Sequence, residues 1–71
     1  MMRYFFHVTA EDGSVPDLVG IELPDAEAVR RNADLQVTEL WAERVLAGKP
    51  PLIGWLDVVD EEERGVLRIP L

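Results

Sequence analysis

The sequence predicts a single α+β domain over residues 1–71, of order ββαββ, with one long helix packed on one face of an antiparallel four-stranded sheet. Three observations predict this fold. Four short segments alternate apolar and polar residues with the period of a strand. The segment 26–47 between them repeats its apolar residues with the helical period of 3.6. Turn-forming residues separate the segments, and a chain this short leaves no room for a second domain.

The first two strands precede the helix. Aromatic and β-branched residues favour a strand over Arg3–Val8. Residues 11–14, Glu-Asp-Gly-Ser, have turn chemistry in which Gly13 supplies any positive φ. The second strand is predicted over Leu18–Leu23, after Pro16, whose missing N–H does least harm before a strand.

The predicted helix runs over Ala26–Ala47. Asp25 is a good N-cap, and Glu27 places a negative charge where the helix dipole favours it. Gly48 is suited to a left-handed C-cap, and the prolines at 50 and 51 prevent the helix from continuing.

Two further strands are predicted after the helix, over Ile53–Asp60 and Val66–Leu71. The acidic run 60–65 between them is interpreted as a solvated turn.

Strand parity divides the predicted sheet into two faces. The face under the helix is expected to carry Met2, Tyr4, Phe6, Val8, Val19, Ile21, Leu23, Leu56, Val58, Leu67, Ile69 and Leu71. The other face is expected to carry Arg3, Phe5, His7, Leu18, Glu22, Ile53, Trp55, Asp57, Val66 and Arg68. One helix covers only one face of a sheet, so Phe5, His7 and Trp55 are candidate interface residues on the uncovered face.

The predicted helix has two apolar stripes. The first is expected to pack on the sheet and includes Ala26, Val29, Ala33, Val37, Leu40 and Trp41. The second lies on the far side of the helix, and an isolated monomer would expose it to water. Its members are further candidate interface residues: Ala28, Leu35, Ala42 and Leu46.

Charge and composition exclude several classes of function. Fourteen acidic residues against seven basic ones give a net charge of -7, which repels phosphate backbones and anionic lipids. We therefore expect no nucleic-acid or membrane partner. No apolar run approaches the roughly 20 residues that span a bilayer, and the N-terminal one is too short for a signal peptide. The absence of cysteine fits a reducing compartment, so the protein is predicted to be cytoplasmic.

No pattern indicates catalysis, a cofactor or a metal. His7 is the only histidine, and a lone histidine without a second His or Cys rarely makes a transition-metal site. The glycines form no phosphate loop, and Ser14 has no nucleophile-elbow context. The protein is predicted not to be an enzyme, and an enzyme or metal protein centred on His7 is kept as a third hypothesis.

Four segments of the chain resemble a family of short, uncharacterised bacterial proteins classed as a domain of unknown function. They are Arg-Tyr-Phe-Phe-His-Val at 3–8, Gly-Ile-Glu-Leu-Pro-Asp at 20–25, Trp-Leu-Asp-Val-Val-Asp-Glu at 55–61 and Leu-Arg-Ile-Pro-Leu at 67–71. The resemblance covers nearly the whole chain and implies no activity, cofactor or catalytic residue. The helix departs from it, because Asn32, Asp34 and Thr38 interrupt a segment that is usually richer in alanine. A weaker likeness is to the N-terminal domain of HicB-type antitoxins, which bind a small, often basic toxin.

Two functions are predicted on these grounds. The leading hypothesis is a non-enzymatic protein-interaction module that self-associates as a homodimer, because a monomer would expose both candidate surfaces. The alternative is an acidic regulatory or antitoxin-like partner of a basic protein, in which charge supplies attraction and the apolar patch supplies affinity. Which surface associates, and the order of the strands, are left open.

Overall fold

A computed structural model describes residues 1–71 and contains one helix and five strands. The elements are β1 (Met2–Ala10), β2 (Gly13–Val15), β3 (Ile21–Leu23), α1 (Ala26–Leu46), β4 (Gly54–Val59) and β5 (Gly65–Pro70). The strand order is β2-β1-β4-β5, with β3 also paired to β1, and every pairing is antiparallel. The predicted α+β fold with one helix on an antiparallel sheet is confirmed, with five strands where four were expected.

The predicted second strand over 18–23 is wrong in its first half. β2 begins at Gly13, whose φ is 143°, and pairs with the end of β1 directly after a two-residue loop. β3 covers only residues 21–23 and pairs with the start of β1. Between β2 and β3 the chain leaves the sheet, because the Asp17 carboxylate accepts the N–H groups of Val19 and Gly20 and stabilises a local turn.

The predicted capping residues at both ends of α1 are confirmed. At the start, Asp25 Oδ1 accepts the N–H of Ala28 at 2.8 Å. At the end, Gly48 has a φ of 65°, and the Lys49 N–H donates to the Arg44 carbonyl at 3.0 Å. This is the bonding of a Schellman motif, and the helix ends one residue earlier than predicted.

The core lies between α1 and the centre of the sheet. Its fully buried members are Phe6, Val29, Ala33, Leu56 and Val58, and the partly buried residues packed against them are Tyr4, Val8, Leu23, Val37, Leu67, Ile69 and Leu71. These two sets come from the predicted apolar faces of the sheet and the helix. Trp41, which was assigned to the core, is half-buried.

Four residues assigned to the core side are exposed: Met2, Val19, Ile21 and Ala26. Val19 is the clearest error, because it lies in the turn between β2 and β3 and is 76% exposed. The other three lie at the margins of the helix-covered face, where no further element covers them.

β5 forms one edge of the sheet. The Leu71 N–H donates inward to the Gly54 carbonyl of β4 at 3.0 Å. Since successive backbone nitrogens of a strand point to opposite edges, the nitrogen of Pro70 faces outward, where it has no hydrogen to donate.

Candidate interaction surfaces

The uncovered face of the sheet has an aromatic residue at each end. At one end the rings of Phe5 and His7 are stacked, with centroids 6.4 Å apart and planes 7° from parallel. At the other end Trp55 is 39% exposed, and the Arg68 Cζ lies 4.3 Å from its ring centroid in a cation–π contact. The structure therefore places all three predicted residues, Phe5, His7 and Trp55, on this face.

A row of polar side chains crosses the sheet between Phe5 and Trp55. His7, Asp57 and Arg68 are direct partners across β1, β4 and β5, and Arg68 Nε lies 3.2 Å from Asp57 Oδ1. The strand registers put Phe5 and Trp55 four residues apart along the sheet, which is about 13 Å at 3.3 Å per residue. The two aromatic residues share a face but do not form one apolar patch.

Asp17 organises the edge of this face, a role that sequence reasoning missed. Its Oδ2 accepts the Phe6 N–H at 3.1 Å, and its Oδ1 accepts the N–H groups of Val19 and Gly20 at 3.1 and 3.0 Å. Partial burial opposes ionisation, but these three N–H groups hold the pKa of Asp17 below its ordinary value. The carboxylate thus completes the hydrogen bonding of β1 where neither β2 nor β3 reaches it.

His7 has a structural role in the same network. The Asp17 N–H donates to His7 Nδ1 at 2.9 Å, so the neutral ring carries its proton on Nε2. The turn also packs on the uncovered face, because a Cβ at Gly20 would lie 2.8 Å from Arg3 Cγ and 2.9 Å from Phe5 Cε1. Nowhere in the chain do three or more His, Cys, Asp or Glu side chains group so that they could hold a metal ion.

Asp60 is a second structural carboxylate, in the loop between β4 and β5. It is 7% exposed, and its Oδ1 accepts the N–H groups of Arg64 and Glu62 at 3.0 and 2.9 Å. Those bonds, and Arg64 Nε at 3.1 Å from Oδ2, lower the pKa of Asp60 against the effect of burial. The interpretation of the whole acidic run as solvated is therefore wrong for Asp60. An Asp that begins a tight loop is a known signal for such bonds.

The outer stripe of α1, defined by Leu35, Ala42 and Leu46, faces away from the core. Leu35 is 56% exposed and Leu46 is 88% exposed, and Ala42 between them is also exposed. Ala28 was predicted as a fourth member, but it is buried in the first turn of the helix, where its backbone N–H donates to the Asp25 side chain. The remaining three residues form an exposed apolar line along the last three turns of the helix.

An apolar groove runs beside this stripe, between α1 and the edge formed by β2 and β3. It consists of two adjoining clefts of about 540 and 440 Å³ that share Val8, Leu40 and Glu43. Val15 lines the first cleft and is 67% exposed, and Leu35 lines the second. The groove exists because β2 extends beyond the area that the single helix covers.

Three charged residues along the groove have no ion-pair partner within the chain. Glu39 and Glu43 line it one helical turn apart, and Lys49 lines its far end. The other cation there, Arg44, lies 3.5 Å from Asp12 and donates to the Pro50 carbonyl. The unpaired acids therefore stand at the middle of the groove and the unpaired lysine at one end.

Together these features define a small α+β protein whose distinctive surfaces are exposed apolar side chains beside unpaired charges. The family model described as Domain of unknown function (DUF6894) matches residues 3–71, and the chain belongs to that family. The expected resemblance to a family classed as a domain of unknown function is confirmed. No curated protein and no solved structure matches the chain. Its single helix is not apolar enough to cross a bilayer.

Proposed function

We propose that this chain is a non-enzymatic protein-interaction module that self-associates as a homodimer. One observation carries the proposal: Leu35 and Leu46 are 56 and 88% exposed on either side of the exposed Ala42, along the side of α1 that faces away from the core. Burying apolar surface is worth about 25 cal/mol per Å². A second copy that covers this line of side chains would bury their apolar surface and so stabilise the dimer relative to two monomers.

The surface area of the monomer supports the same proposal. Its accessible area is 4897 Å², whereas a folded monomer of this mass is expected to expose about 4,450 Å². The excess follows from an elongated shape of 38 × 19 × 19 Å. Only seven of 71 residues are buried, so the core alone leaves a thin margin of stability and association would add to it.

Light scattering over a dilution series tests self-association. We expect a dimer for the natural chain and a monomer for Leu46→Lys, because a lysine ammonium would be buried at the interface. Trp55→Lys is the matched control on the uncovered face and should remain dimeric. A natural chain that is monomeric at every concentration would remove the proposal, and loss of the dimer only in Trp55→Lys would move the interface to the sheet.

The second candidate is an acidic regulatory or antitoxin-like partner of a basic protein. Glu39 and Glu43 favour it, because they stand unpaired beside an apolar groove on a chain of net charge -7. A pull-down from native lysate should recover a basic protein at low salt, and the Glu39→Gln, Glu43→Gln double variant should recover much less. Recovery of no basic protein at either salt concentration would reject this candidate.

Salt separates the two candidates further. Screening weakens the repulsion between two copies of charge -7 and so favours the homodimer, whereas it weakens attraction to a basic partner.

The cytoplasmic location stays a prediction. A metal protein centred on His7 would be rejected by metal analysis that finds no bound metal in the natural chain or in His7→Ala.

A further inference from the structure

We infer that the homodimer forms by antiparallel packing of α1 against α1 of a second copy, with the two-fold axis at Ala42 and with Lys49 of each copy beside Glu39 of the other. The inference rests on the proposed self-association and specifies its geometry. Two independent features of α1 support it, the spacing of its apolar residues and the arrangement of its unpaired charges.

The apolar spacing fits a two-fold axis at Ala42. At 100° per residue, Leu35, Ala42 and Leu46 point within about 40° of one another. An alanine at the crossing point lets two helices approach to the usual 8–10 Å. Antiparallel packing about Ala42 places Leu46 of one copy opposite Thr38 of the other. That leucine then fills the hole formed by Leu35, Thr38, Glu39 and Ala42, in the manner of a knob in a helix pair.

The unpaired charges select the antiparallel orientation. Lys49 stands just past the helix, held by the bond from its N–H to the Arg44 carbonyl. In the antiparallel pair it comes opposite Leu35 of the other copy, one helical turn of about 5.4 Å from Glu39 and within reach of its four-carbon side chain. The same axis places Glu43 opposite Trp41 of the other copy, so that Glu43 approaches Glu39 there with like charge. A parallel pair would instead place Glu39, Glu43 and Lys49 each beside the same residue of the other copy, and all three contacts are repulsive.

A cysteine cross-link tests the position of the axis. The chain has no cysteine, so Ala42→Cys introduces a single thiol that meets its own copy only if the axis passes there. A disulfide requires the two Cα atoms to lie within about 7 Å. We expect Ala42→Cys to run as a covalent dimer on a non-reducing gel after mild oxidation. The control Arg30→Cys, exposed on another side of α1, should remain a monomer on that gel.

A charge exchange tests the pairing of Lys49 with Glu39. Lys49→Glu and Glu39→Lys should each raise the dissociation constant of the dimer roughly tenfold, since each change replaces two attractive contacts by two repulsive ones. The double variant restores opposite charges at both contacts and should return to within about threefold of the natural chain. Failure of the double variant to recover would overturn the pairing.

The failure of this inference can be told from the failure of self-association. A dimer by light scattering that forms no Ala42→Cys cross-link, or that ignores both charge reversals, would refute this geometry and leave self-association standing. A chain that is monomeric under all conditions would refute both. Far-UV circular dichroism of each variant shows whether α1 has kept its helical content, so a misfolded variant is recognised as such.

Discussion

Replacing Asp17 by alanine is expected to lower the free energy of unfolding by about 2 kcal/mol. The half-buried Phe6 N–H would lose its only acceptor, and hydrogen bonds to a charged acceptor are worth about 1.5–3 kcal/mol. The N–H groups of Val19 and Gly20 lie closer to water, which replaces the carboxylate at little cost. Against a total of about 4–10 kcal/mol for 71 residues, the loss is substantial.

Urea unfolding followed by tryptophan fluorescence measures this loss. With a slope of about 1 kcal/mol per M for so small a domain, the midpoint of Asp17→Ala should fall by about 2 M. Asp17→Asn keeps one acceptor oxygen, so its urea midpoint should lie between those of the natural chain and of Asp17→Ala. All samples need the same protein concentration, because the proposed association would be coupled to unfolding. A difference below about 0.5 kcal/mol at pH 7 would refute the role given to this carboxylate.

The same residue predicts a dependence on acid. The folded chain lowers the pKa of Asp17 below its ordinary 3.8, so on acidification the unfolded chain binds the proton first. The contribution of Asp17 is therefore complete above about pH 5 and is lost as the pH falls through the folded pKa. Asp60 acts in the same direction. The stability gap between the natural chain and Asp17→Ala should narrow at pH 3, and an unchanged gap would contradict the argument.

Three further changes test the core, a close approach and a strained turn. Leu56 is fully buried, so Leu56→Ala should lower the free energy of unfolding in urea by about 2–5 kcal/mol. Leu18 is exposed, so Leu18→Ala should lower it by at most about 0.5 kcal/mol. Equal losses in the two variants would contradict the packing. Gly54→Ala should lower the free energy of unfolding by about 1–3 kcal/mol, because the added Cβ would collide with the backbone of β1. An unchanged Tm would show that β1 can move aside to accommodate the methyl group. Glu63 has a φ of 62°, so Glu63→Gly should stabilise by about 0.5–1 kcal/mol, whereas Glu62→Gly should destabilise.

The elements that sequence reasoning placed correctly depend on local signals. Asp25 and Gly48 cap the helix through hydrogen bonds between residues three to five positions apart, and the residue types in the local sequence are enough to predict such bonds. The core faces of β1 and β4 follow from an alternation that each strand shows by itself. Strand parity also placed Phe5, His7 and Trp55 on the uncovered face, since parity needs no knowledge of neighbouring strands.

The errors have long-range causes. The predicted strand over 18–23 failed because Asp17 bonds Phe6, eleven residues earlier, and this contact turns an apolar segment away from the sheet. The separation of Phe5 from Trp55 depends on the register between β1 and β4, which periodicity does not determine. The groove beside α1 depends on how far the sheet extends past the helix. Of the residues that line it, Val8, Leu35 and Leu40 were assigned singly to a strand face or a helix stripe, and no groove was predicted.

The position of Pro70 limits how this sheet can grow. Its ring occupies the outer edge of β5 where a strand would offer an N–H, so at most the Val66 and Arg68 N–H groups remain for an added strand. At the opposite side of the sheet, Asp17 already occupies the Phe6 N–H. Strand addition at β5 is therefore restricted, and the gap between β2 and β3 along β1 is already closed. The proposed contact between two α1 helices uses side chains instead, and a two-fold contact closes after two copies and cannot propagate into a fibre.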